Sequence, residues 1–141
     1  MSDPRPPEIS DDPETAFFWE GTRAGELRIQ RCNACRCYIH QPRPVCRRCL
    51  SFDLAGERVS GRGLLYSYSV THRPFHPYYA DRVPYAIATV ELAEQSGLHL
   101  LSRIVDVPLE AIEIGMKLEV RFEPLTDEVV LPVFTRATEG R

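Results

Sequence analysis

Lysine is almost missing from this chain. Of its 17 basic residues only Lys117 is a lysine, a bias that carries no functional reading by itself. Long apolar runs are missing too. No stretch approaches the ~20 residues a membrane-spanning helix needs. The opening Met1-Ser2-Asp3-Pro4-Arg5-Pro6-Pro7 has neither the basic region nor the apolar stretch of a secretory signal. A cytoplasmic protein, without a membrane partner, is the simplest expectation. The motifs of self-sufficient enzymes are absent as well: no nucleophile elbow, no phosphate-cradling glycine loop and no His-Glu-x-x-His. There is no internal repeat. At 141 residues with 43% hydrophobic content, the chain has room for one small cored domain and an appendage.

What the chain does have is a cysteine cluster. Cys32-Asn33-Ala34-Cys35 is followed, ten residues on, by Cys46-Arg47-Arg48-Cys49. A Cys-x-x-Cys turn aims two sulfurs at one point, and two such turns facing each other present four thiolates tetrahedrally, the arrangement structural zinc prefers. The short gap suits a small ribbon of two hairpins. The alternatives are disulfides or a redox Cys-x-x-Cys. The total of 5 cysteines leaves an odd one in any disulfide scheme, and a reducing compartment keeps the thiolates free for metal. Cys37 is then a spare thiol. Nothing nearby reads as a base that would make it a nucleophile, although neighbouring arginines favour its thiolate. One structural Zn2+ per chain is therefore expected on Cys32, Cys35, Cys46 and Cys49. A closed four-cysteine site has no open position for substrate and stabilises rather than reacts.

The net charge of −3 conceals a pattern. Residues 1–20 carry six acids and one arginine, residues 21–60 eight arginines and three acids, and residues 61–141 eight basic and eleven acidic groups. The cysteine segment is a basic patch of +5 between acidic neighbours. It reads equally as a solvated ribbon face or as a docking site for phosphate or an acidic partner.

Residues 1–10 read as a proline-rich arm. Asp12 as cap, Pro13 at the first position and Glu14 in the first turn predict a helix ending near Gly25. It carries Phe17, Phe18 and Trp19, which cannot all face one side, so the trio is a candidate partner interface. Leu27 to Arg31 alternates as a strand, and the prolines of 42–44 mark an edge or turn. Further strands are expected over 64–71, 85–92, 98–105, 117–123 and 128–135, with a helical turn or two over 108–114. Gly61 and Gly63 allow a bulge or curvature at the start of the first of these. Five short strands with a helix between the third and fourth is the order of an OB-fold.

These residues resemble a known family. Phe18-Trp19-Glu20-Gly21 with Leu27-Arg28-Ile29-Gln30-Arg31-Cys32, then Pro42-Arg43-Pro44-x-Cys46, Val59-Ser60-Gly61-Arg62-Gly63, Pro84-Tyr85, Ile114-Gly115-Met116 and Phe122-Glu123-Pro124-Leu125 are similar to the zinc-ribbon plus OB-fold proteins associated with acyl-CoA enzymes, long labelled domain of unknown function 35. The resemblance covers residues 13 to 135. Two departures are Arg36, where the family often has Gly, and the extra Cys37. The resemblance implies a mainly β fold: an arm and N-terminal helix over 1–26, a rubredoxin-like four-cysteine zinc ribbon over 27–55 and a five-stranded OB-fold barrel over 56–141. It implies a non-catalytic subunit that binds a thiolase-like or aldolase-like partner, as two copies on two catalytic subunits, and helps hold coenzyme A or acyl-CoA as a ligand shared with that partner. Some relatives join enoyl-CoA hydratases instead.

The segment 72–82 holds His72, Arg73, Phe75, His76, Tyr78, Tyr79 and Arg82. Aromatics stack on adenine and arginine pairs with phosphate, so His72, Arg73, Phe75, His76, Tyr78 and Tyr79 are candidate CoA or partner contacts. His40 and His99 read as ordinary packed or surface residues. A rival class is single-stranded nucleic-acid binding, in which Tyr66, Tyr68 and the ribbon arginines would stack and pair. The sequence pI of about 5.8 and the acidic barrel segment argue against it.

Overall fold

Asp12 opens the fold by accepting a hydrogen bond from the Glu14 amide at 2.9 Å. Pro13–Thr15 forms a 3₁₀ turn that runs into helix α1, Ala16–Arg23. The helix ends at Gly25, whose φ of +77° is a left-handed conformation that glycine adopts without strain. The computed structural model describes residues 12–74 and 76–138. The arm expected over 1–10 and Phe75 lie outside the described residues.

Strand β1, Leu27–Cys32, follows at once. It is flanked by the two-residue β2, Tyr38–Ile39, and by β3, Leu54–Val59, in an antiparallel sheet of order β2-β1-β3. The expected pair of hairpins is thus only half right. The first knuckle sits in a hairpin, but the second leads into β3, which pairs with the whole of β1 from Leu27↔Val59 to Cys32↔Leu54. The approach to the second knuckle contributes no strand, because Pro42 and Pro44 remove backbone donors there. Helix α1 packs on this sheet through Phe17. A Cβ added at Gly56 in β3 would lie 2.3 Å from the Phe17 ring, so only glycine admits that contact.

The remaining strands are β4 (Arg62–Thr71), β5 (Tyr85–Leu92), β6 (His99–Ile104), β7 (Lys117–Pro124) and β8 (Val130–Arg136). They close a barrel of order β4-β5-β6-β8-β7, sealed by the parallel pair Ile104↔Phe134 and by β4 against β7. In β5 every second residue, Ala86, Ala88, Val90 and Leu92, points into the core. Gly61, at φ +78°, brings β4 against Val120 so closely that a Cβ there would sit 2.3 Å from the valine Cγ1. The bulge itself lies further along, where the register shifts between Leu65 and Ser67 around Tyr66. The helix expected over 108–114 is only the 3₁₀ turn Leu109–Ala111, after which Ile112 turns extended and is buried.

Ribbon and barrel share one core. Phe18, Leu27, Ile29, Tyr38 and Val59 belong to the same buried cluster as Leu65, Leu92, Leu100 and Phe134. A side-chain amide locks the joint: Gln95, in the β5–β6 turn, accepts from the Tyr38 amide at 2.9 Å and donates to the Tyr38 carbonyl at 3.1 Å. It pairs with β2 as a neighbouring strand would. Among the described residues no helix is long and apolar enough to cross a membrane.

Candidate metal centre and groove

The two knuckles close identically. The Arg36 amide donates to the Cys32 carbonyl, and the Leu50 amide to that of Cys46. The amides of Cys32 and Cys46 in turn donate to the carbonyls of Cys37 and Ser51. Arg36 and Leu50, the residues that follow each second cysteine, both sit in the left-handed region, at φ 66° and 65°. Glycine is usual at such a turn for that reason.

The sulfurs of Cys32, Cys35, Cys46 and Cys49 all lie within 4.8 Å of one another. The closest pairs, Cys32–Cys49 and Cys35–Cys46, are 3.5 and 3.7 Å apart. A tetrahedral site with Zn–S bonds of about 2.3 Å demands S···S separations of about 3.8 Å, whereas a disulfide would need about 2.05 Å. The set fits zinc. Electrostatics agree. The Cys35 amide, 3.5 Å from the Cys32 sulfur, is the main cause that lowers that thiol to about 6. The Cys49 amide likewise lowers the Cys46 thiol from its ordinary value. At Cys49 the Ser51 amide favours the thiolate, but the neighbouring Cys32 sulfur and burial push the thiol up to about 12. Four thiolates this close repel one another, and a divalent cation removes that obstacle. Zinc would sit among these four sulfurs, structurally, with no vacant position. Cys37 is outside the set, its sulfur donating to the Tyr38 carbonyl at 3.3 Å.

A groove of about 670 Å³ runs between α1, residues 40–42 and the outer face of β5, β6 and β8. Trp19, His40, Tyr79, Tyr85, Ile87 and Leu101 are among the residues lining it. Gln30 secures the 40–42 wall by exchanging two hydrogen bonds with the backbone of Arg43, at 2.9 and 2.8 Å. His40 stacks on Phe18, with ring centroids 5.9 Å apart, and burial pulls its pKa down. Arg103, also in the lining, is held by Glu123 at 2.7 Å.

The segment 72–82 divides its candidate residues. His72 and Arg73 are exposed. His76 serves the backbone, its Nδ1 accepting from the Tyr78 amide at 3.1 Å. Tyr78 holds Arg82, which stacks 4.2 Å over its ring and donates to its hydroxyl at 3.0 Å. Among the described residues of the set Tyr79 alone reaches the groove, and burial raises its hydroxyl pKa. The helix trio divides as well. Phe18 is spent inside the chain at 7% exposure, while Phe17 and Trp19 stay half-buried. His99 packs against Tyr66 with ring centroids 4.3 Å apart and planes tilted by 37°, on the outside of the barrel. The sequence reading missed the groove itself. Its signal was the apolar Ile87 and Leu101 at outward strand positions, where polar residues are the rule.

Comparison with known proteins places this architecture. The family model described as "ChsH2, rubredoxin-like zinc ribbon domain" matches residues 19–55, and "ChsH2, C-terminal OB-fold domain" matches residues 56–123. The chain is 40% identical over 124 residues to a "Probable enoyl-CoA hydratase alpha subunit" of Thermomonospora curvata, covering 88% of this chain but only 38% of that relative. It is 34% identical over 103 residues to a "DUF35 domain-containing scaffold protein" of Methanothermobacter thermautotrophicus, covering 72% of this chain and 75% of the relative. Among solved structures, "Ltp2-ChsH2(DUF35) aldolase" superimposes with a TM-score of 0.84 at 37% identity, covering 93% of this chain and 100% of that one. With its four-cysteine ribbon and closed five-stranded barrel, the chain belongs to the ChsH2-type DUF35 family of zinc-ribbon OB-fold proteins.

Proposed function

We propose that this chain is a non-catalytic subunit that docks on a thiolase-like catalytic partner in acyl-CoA metabolism, of aldolase type first, with two copies on two catalytic subunits. The observation that carries the reading is the superposition on Ltp2-ChsH2(DUF35) aldolase, in which the whole of the solved chain is matched. In this reading the groove and the exposed His72 and Arg73 help hold coenzyme A. Trp19 and Tyr79 offer faces to an adenine, and Arg73 offers a guanidinium to a phosphate. Zinc keeps the ribbon folded and so keeps the partner-binding surface in shape. A second reading, a subunit of an enoyl-CoA hydratase, is favoured by the 40% identity to a hydratase alpha subunit of which this chain matches little more than a third. Co-expression with a thiolase-like protein of aldolase type, followed by size-exclusion chromatography, tests the first reading. Co-elution supports it. Separate elution at micromolar concentration, together with co-elution with a hydratase subunit, replaces it by the second.

A further inference from the structure

The second knuckle ends in an exposed tip that the fold does not explain. Leu50 is 71% exposed and Phe52 81% exposed, the two most exposed of the large apolar residues described. Arg47 and Arg48, beside them, are exposed as well. The tip is nonetheless held rigidly at its base. The amides of Leu50, Cys46 and Asp53 donate to the Cys46 carbonyl, the Ser51 carbonyl and the Ser51 hydroxyl in turn, and the Asp53 carboxylate accepts from Asn33 of the first knuckle at 3.0 Å. Leu50 is the sharpest anomaly. Its φ of 65° is left-handed, where glycine is strain-free and leucine is not. Arg36, at the same place in the first knuckle, shows what compensation looks like. Its carbonyl accepts from Arg31 at 2.8 Å and its guanidinium lies 3.6 Å from Glu57. Leu50 has no comparable anchor, and its side chain stands in solvent. Neither the Leu50 nor the Phe52 side chain joins a buried cluster of the described residues. None of residues 46–53 lines the groove, so the tip is a separate surface.

We propose that Leu50 and Phe52, rimmed by Arg47 and Arg48, form a docking knob for the catalytic subunit, seated in an apolar depression bordered by Asp and Glu side chains. The inference rests on the subunit reading above and adds the place of contact. The knob has the anatomy of an interface centre: an apolar middle, a charged rim that steers encounter, and a base already ordered, so that little entropy is lost on docking. Charge names the partner. The ribbon segment carries +5 over residues 21–60, which favours an acidic receptor and disfavours two knobs meeting. An aliphatic Leu50 gives no stacking surface, and the chain as a whole is net −3, so a protein surface fits better than a nucleic acid.

Leu50→Gly and Phe52→Ser, singly and together, separate folding from docking. Leu50→Gly relieves the backbone, so its melting temperature should equal or exceed that of the wild type, with one zinc retained. Affinity for the co-expressed catalytic subunit should fall at least tenfold in the double variant. Arg47→Glu with Arg48→Glu should slow association and flatten its dependence on salt. Wild-type affinity in the double variant, with zinc and melting temperature intact, overturns the proposal. So does a wild-type homodimer lost in the double variant, which would make the knob a contact between copies, or binding of oligo(dT) lost in the same variant, which would make it a nucleic-acid site. If the wild type itself binds no catalytic subunit, the subunit reading fails and takes the knob with it.

Discussion

Replacing Gln95 by Ala should loosen the joint between ribbon and barrel. In the native fold its amide makes two hydrogen bonds to the backbone of Tyr38, at 2.9 and 3.1 Å. Tyr38 is only 8% exposed, so truncation orphans its buried amide and leaves its carbonyl with only the weak Cys37 thiol donor at 3.3 Å. Each such loss costs about 1–3 kcal/mol. The Ala side chain leaves room for water to recover part of this, so the total should be about 2–3 kcal/mol. At roughly 4 °C per kcal/mol for a chain of this size, the melting temperature should fall by about 8–12 °C. Gln95→Glu keeps the acceptor, loses the donor and sets a carboxylate against a carbonyl, so it should be destabilising at neutral pH although it is nearly isosteric. Thermal unfolding followed by circular dichroism reads both variants. A melting temperature within about 2 °C of the wild type for Gln95→Ala would refute the claim that this amide fixes the joint.

The metal centre makes a paired prediction. Cys46→Ser should lose the single zinc and unfold the ribbon, since a structural site of four cysteines supplies on the order of 10 kcal/mol, whereas Cys37→Ser should leave zinc content unchanged; elemental analysis of the two purified variants checks both. His40 sets an acid limb. Burial lowers its pKa from the ordinary value of about 6.5, so the unfolded chain takes up a proton that the fold resists; the stability is fully present above about pH 6.5 and is lost as pH falls through the folded value. Urea midpoints between pH 7 and pH 5 should therefore drop less steeply in His40→Phe than in the wild type. Arg73→Ala should leave assembly with the catalytic partner intact but raise that partner's KM for acyl-CoA with kcat unchanged, as lost ground-state binding does; steady-state kinetics on the reconstituted complex measures it.

The four-cysteine cluster was legible because its spacing is dictated by local geometry. A Cys-x-x-Cys turn that points an amide at its own first sulfur leaves little freedom in which thiols converge, and Cys37 falls outside it. The barrel was legible from strand order and from turns at Gly97 and Gly115 with φ of 80° and 88°. Strand β3 was not. Its Gly56 is there to admit Phe17, and its Glu57 serves Arg31 and Arg36, so the segment shows no clean alternation. In β4 the alternation was visible but its direction was not: Leu64 and Tyr66 face solvent at 43% and 56% exposure, while Gly63 and Leu65 face inward. Beyond the outward apolar Ile87 and Leu101, the groove could not be read along the chain, because its walls come from residues near 15, 40, 80, 100 and 132. The helix trio was ambiguous for a related reason. A packed Phe18 and a half-open Trp19 look alike until the sheet they meet is known.

The central claim is that the chain is a subunit on which catalysis depends but which does not catalyse. Titrating purified, zinc-loaded protein into the proposed thiolase-like partner while following acyl-CoA turnover tests this most directly. No turnover is expected from this chain alone, and the partner's activity should rise and saturate at one copy per catalytic subunit. A partner equally active without this chain, or turnover by this chain alone that Cys37→Ala abolishes, would contradict it.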